Sequence, residues 1–122
     1  MKLLSCINIL CTPTDYGANI RGASLAPSYI LDGLNSIGVF PKHSQIPCSR
    51  NIRKMYGDLY YDVFKTIDAK KFPLVLGGDH SISIASVSAA NDACKLNSKR
   101  LGVLWCDAHA DFNTFERRNR CD

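Results

Sequence analysis

A chain of 122 residues, 46% hydrophobic and 21% charged, can bury one core, which excludes a multidomain enzyme and an intrinsically disordered chain. The formal charge of +4 gathers nowhere until "ERRNR" near the end, which reads as a solvated tail and argues against nucleic acid as a partner. No stretch approaches the ~20 apolar residues of a membrane span.

The chain begins "MKLLSCINILC", with one lysine and an apolar run that is too short before Cys6 for the core of an export signal. A cytoplasmic location is expected. The six cysteines (Cys6, Cys11, Cys48, Cys94, Cys106 and Cys121) form no CxxC pair, and reduced thiols are expected. "LLSCINIL" is apolar and runs into turn-prone "CTPTDYG", which predicts a first buried strand. After the loop "DYGANIRGASLAP", Pro27 can open a helix over "PSYILDGLNSIG" that Gly38 can close. His43 lies in the following loop without ligand-like neighbours and reads as a surface histidine.

The segment "NIRKMYGDLYYDVFKTIDAKK" carries the clearest helical signal. Ile52, Met55, Tyr56, Leu59, Tyr60, Val63, Phe64 and Ile67 form one stripe facing a core. "FPLVLGG" predicts a second buried strand. "DHSISIASVSAANDACKLN" alternates locally with period two, yet its length and alanines predict a helix packed closely on a sheet. "LGVLWCDAHAD" then predicts a third strand. Apolar strands alternating with helices give a three-layer αβα sandwich around a parallel sheet, where ligands gather at the carboxyl ends of the strands.

Two motifs fall at those ends. In an extended segment, Asp107, His109 and Asp111 share one face while Ala108 and Ala110 point away. Carboxylate, imidazole and carboxylate suit a divalent ion such as Mn²⁺ better than the thiolate sites common for zinc. On its own this spacing also fits three solvated polar residues at a strand end. In "LVLGGDHS", Gly77 and Gly78 permit a tight turn that aims His80 over the sheet, whereas Asp79 reads as a helix N-cap. Two strands delivering ligands to one sheet edge favour metal binding for His80 over a plain loop histidine.

"GGDHS" followed by a helix, then a strand ending "DAHAD" and "FNT", resembles the metal motifs of the arginase and agmatinase family of ureohydrolases. "GANIRGASLAPSYI" is similar to its early glycine loop, closer to arginases than to agmatinases. The likeness runs from the first strand to about Thr114, so residues 1–114 are expected to form the N-terminal part of an arginase-like α/β domain and 115–122 a divergent polar tail. The resemblance implies a binuclear Mn²⁺ site whose shared hydroxide attacks a guanidino substrate such as arginine and releases urea. It further implies that His80 and Asp111 hold the first ion, His109 the second, and Asp107 both, with Asn113 near the carboxylate end of the substrate. "GGDHS" ahead of "DAHAD" at this spacing argues against a metal-dependent deacetylase of similar architecture.

The sequence departs from the family pattern in lacking "SFDxD", which supplies both ions with further aspartates, and in continuing "FERRNRCD" after "DFNT". The expected site is therefore incomplete: one ion is better held than the other, and little urea is released by the chain alone. The departure suggests a truncated or split form, with an apolar central strand left as an open edge. The alternative is a non-catalytic interaction module that pairs through that edge, with itself, with a full-length relative or with a complementary C-terminal half.

Overall fold

In the computed structural model, the described residues are 4–49, 51–109 and 111. Three parallel strands form one sheet in the order β2–β1–β3: β1 Ile7–Thr12, β2 His43–Gln45 and β3 Phe72–Gly77. Among the described residues, α1 Ala26–Ser36 connects β1 to β2, α2 Ile52–Asp68 connects β2 to β3, and α3 Ser83–Leu96 follows β3.

The first strand begins and ends later than its apolar run predicts. Leu4–Cys6 forms a 3-10 turn, and Cys11 and Thr12, expected in the turn, stay in the ladder opposite Leu76 and Gly77. Cys11 is paired by strands on both sides and Thr12 by β3, and both residues are buried. Strand β2 is the missed element. Its three residues are polar and exposed, and Ile46 behind it anchors the edge, buried and donating its amide to the Cys11 carbonyl at 2.8 Å. His43 lies on this edge, exposed as expected.

Pro27 stands in the first turn of α1 and Gly38, at φ +79°, closes it in the left-handed region that glycine tolerates. Asn51 caps α2 by accepting from the Lys54 amide at 3.2 Å. The stripe of α2 turns inward as its period requires: Met55, Leu59 and Val63 are buried, flanked by Tyr56, Tyr60, Phe64 and Ile67. Helix α3 offers alanines at 85, 89 and 93, all buried, so that α2 and α3 pack closely. Leu10, Ile46, Met55, Leu59, Val63, Ala85 and Ala89 make the core between these helices and the sheet.

The chain moves from β1 to β2 on one side, then crosses back to β3 on the other. Right-handed connections therefore place α1 on one face of the sheet and α2 on the opposite face, where α3 joins it. The loop leaving β1 leads to α1 and the turn leaving β3 leads to α3, and the carboxyl ends of these two neighbouring strands form a topological switch point, the place where ligands gather in such sheets.

The expected strand over 101–111 does not join the sheet among the described residues. Residues 101–107 pair in no ladder, with Val103 56%, Leu104 89% and Trp105 44% exposed. A buried parallel strand is stabilised by ladders on both sides and cover on both faces, and the described residues supply neither here. No helix among the described residues is long and apolar enough to cross a membrane. Cys11, Cys48, Cys94 and Cys106 are free thiols, and burial pushes the Cys11 thiol pKa up. The tail 115–122 lies outside the described residues.

Candidate metal centre

At the switch point the loop after β1 meets the turn after β3. Gly78 lies so close to this loop that a Cβ on it would collide with the Thr14 carbonyl oxygen and come within 2.9 Å of the Ala23 backbone. The Asp79 amide donates to the Thr14 carbonyl at 3.0 Å, and its side chain accepts from the Ser81 amide, the N-cap role read from sequence. A 3-10 turn over His80–Ile82 follows and leads into α3, so His80 stands just past the carboxyl end of β3.

His80 Nδ1 is 3.7 Å from Asp107 Oδ2 and 3.9 Å from Asp111 Oδ2. The three donor atoms lie within 4.8 Å of one another. Trp105 borders both partners: its ring meets His80 edge-on at 5.9 Å between centroids, and its indole N–H donates to Asp111 Oδ2 at 3.3 Å. Sequence reasoning missed this contact, since nothing in an apolar run marks one aromatic for a carboxylate.

The acidic residues do not share a face by strand pleat, as an extended segment would require. The backbone bends at residues 108 and 109, and Asp111 has φ +52°. Aspartate is among the few side chains that visit this left-handed region with ease. The bend brings Asp107 and Asp111 toward His80 but turns His109 out, its side chain 85% exposed, with Nδ1 3.7 Å from Asp107 Oδ1. Asn113 lies outside the described residues. The His109 amide donates to Asp107 Oδ1 at 3.0 Å; this bond, then the neighbouring imidazoles and the Ala108 amide, hold the Asp107 pKa below the usual carboxylate value against the opposing effect of burial.

The loop after β1 has its own organiser. Asp15 accepts from Arg21 Nη1 at 2.8 Å, the Gly22 amide at 2.9 Å and Ser24 Oγ at 3.1 Å, while Arg21 also covers the Tyr16 ring. The Gly22 amide bond, then the Arg21 guanidinium, lower the Asp15 pKa. A lowered carboxylate stabilises the folded loop above its unfolded pKa and loses that effect as pH falls through the folded value. The expected result is a Gly22 amide that stays protected at neutral pH and becomes exposed to exchange only below the ordinary aspartate range. Amide exchange followed against pH checks it, and loss of protection above that range would contradict it.

A parallel α/β sheet with an imidazole and two carboxylates converging at its switch point defines an α/β protein with a candidate metal site at the strand ends. The chain belongs to the arginase family, whose family model matches residues 5–121. It is 33% identical over 129 residues to an arginase of Bacillus subtilis, an alignment covering 90% of this chain and 42% of that protein. A yeast arginase, from Saccharomyces cerevisiae, is 52% identical over 58 residues, 48% of this chain and 16% of the relative. Among solved structures, native arginase from Bacillus caldovelox superposes with a TM-score of 0.71 at 30% identity, covering 90% of this chain and 43% of that one. The chain thus spans about two fifths of the length of the bacterial arginases it matches.

Proposed function

We infer that this chain contributes the first two metal motifs of an arginase-like, Mn²⁺-dependent hydrolase of guanidino compounds such as arginine, the reaction that releases urea. The observation that carries this reading is the convergence of His80, from the turn after β3, with Asp107 and Asp111 from a separate segment. The donor set fits the ion. Oxygen and nitrogen donors about 2.1 Å from a shared divalent ion lie at most about 4.2 Å apart, so a separation within 4.8 Å needs only small side-chain rotations to close. One imidazole with two carboxylates is a donor set suited to manganese.

His80, Asp107 and Asp111 would hold one ion; His109, beside the second oxygen of Asp107, would serve the other. When bound, the ions supply Lewis-acid activation of water near neutral pH. Asp107 stays ionised to lower pH than an ordinary aspartate, which suits a carboxylate placed between two imidazoles. Asn113, from "DFN", would contact the amino-acid end of the substrate. Calorimetric titration with Mn²⁺, with His80→Ala and Asp107→Ala controls, tests the reading.

A second reading is favoured by one observation: β3 ends the sheet, with no strand paired to its outer side among the described residues. Phe72 and Leu74 add exposed apolar surface on this strand, 63% and 38%. This edge would accept another strand, from a second copy or from a complementary arginase-like half. Sedimentation is expected to show association that grows with protein concentration. A monomer at every concentration, with or without such a half, would sink it.

A further inference from the structure

At the carboxyl ends of β1 and β3 two loops meet, and one side chain is bonded to both. Asp79 Oδ1 accepts the Ser81 amide at 2.8 Å, which is the local capping bond. Its other oxygen, Oδ2, accepts the Gly17 amide at 3.0 Å, across 62 positions of sequence. A cap needs only the first bond; the second joins the turn bearing His80 to the loop after β1. The approach is close, since a Cβ on Gly17 would lie 2.7 Å from Asp79 Oδ1 and 2.8 Å from Ser81 Cβ. Helix α2 adds a third tie, Tyr56 Oη donating to Ser81 Oγ at 2.7 Å. The bonded loop is itself gathered around Asp15, two residues before Gly17.

We propose that Asp79 is a positioning residue, whose carboxylate fixes His80 over the strand ends and ties the 14–24 loop to the metal centre, so that metal binding and loop order reinforce each other. The coupling to metal rests on the reading given under the proposed function. By linkage, an ion that requires His80 in place protects the Gly17 bond, and the bond in turn strengthens the ion's hold. Partners behind a ligand commonly change metal affinity by about 10- to 100-fold.

Asp79→Asn is the sharpest variant, because asparagine keeps one acceptor oxygen for Ser81 and presents an N–H, not an acceptor, toward Gly17. In metal-free protein, NMR is expected to show the Gly17 amide exchanging faster and the rings of His80 and Trp105 moved apart, with the amides of α2 unchanged. Calorimetry is expected to show Mn²⁺ binding weakened by about 10-fold or more. In the wild-type chain Mn²⁺ slows Gly17 exchange; in the variant it does not. Should Asp79→Asn fail to fold, Gly17→Ala presses on the same carboxylate from the other loop, and the same pattern is expected. Unchanged Gly17 exchange with the two rings still adjacent overturns the positioning role, as does wild-type Mn²⁺ affinity in either variant. A wild-type chain that binds no Mn²⁺ overturns the metal reading and the coupling to it, and the metal-free measurements then decide the positioning role alone.

Discussion

Gly78→Ala is expected to destabilise the chain by at least about 3 kcal/mol, the upper end of what overpacking ordinarily costs. The atom in the way is the Thr14 carbonyl oxygen, with the Ala23 backbone behind it. Backbone held by the hydrogen bonds of the loop cannot retreat as a side-chain tip can, so the turn after β3 must separate from the loop after β1. That separation breaks the Asp79 amide bond to Thr14 and shifts His80 from its carboxylate partners. Gly77→Ala makes the informative comparison. There the nearest atom is Ile82 Cδ1, the far end of a flexible side chain that can rotate aside. Urea denaturation is expected to rank the variants wild type, Gly77→Ala, Gly78→Ala in falling stability. A Gly78→Ala protein within about 0.5 kcal/mol of wild type, the range of ordinary surface substitutions, would show that the close approach does not hold in solution.

What the sequence made legible follows from how local each signal is. The α2 stripe needed only its own period, and Met55, Leu59 and Val63 went inside as that period requires. In α3 the period-two "SISI" misleads for a few residues, because His80–Ile82 is a 3-10 turn feeding the helix and not a strand. The glycines before Asp79 pointed to a tight turn, and the turn is there. Strand β2 was invisible because three polar residues on a sheet edge have no face to bury. The segment over 101–107 failed in the opposite way: its apolar run marks a strand, but a strand requires neighbours, and none lies beside it among the described residues. Chemical identity was legible at His80, Asp107 and Asp111, whereas their geometry was not. A pleat would align three side chains; a bend and a left-handed Asp111 align two and turn His109 out. The Gly17–Asp79 bond joins residues too far apart in sequence for any local pattern to mark.

Loss of Asp107 is expected to weaken Mn²⁺ binding more than loss of any neighbouring ligand, by well over the ~100-fold that marks the upper range for partners behind a ligand. Its two oxygens face different groups. Oδ2 lies 3.7 Å from His80 Nδ1, whereas Oδ1 holds the His109 amide and lies 3.7 Å from the His109 ring. Asp107→Ala therefore removes a donor from the cluster and also frees the bend that carries His109. Asp107→Asn separates these effects, since its carbonyl can still accept the His109 amide while the negative charge is gone. An intermediate affinity in the asparagine variant assigns the remainder to charge; affinity as low as in alanine assigns nearly all of it to charge. His80→Ala and His109→Ala then distinguish one ion from two. With one ion held by His80, Asp107 and Asp111, His80→Ala weakens binding strongly, though less than Asp107→Ala, and His109→Ala leaves it within a few-fold of wild type. Equal losses in both would mean that His109 swings inward to share the same ion. Binding indifferent to both His80 and Asp107 would remove the metal reading, because the cluster would then be only the exposed acidic end of an apolar segment. Acid should act through the same groups: a carboxylate held below its usual pKa keeps its charge until more acidic pH, so protonation of Asp107 is not what first releases the ion as pH falls below neutral.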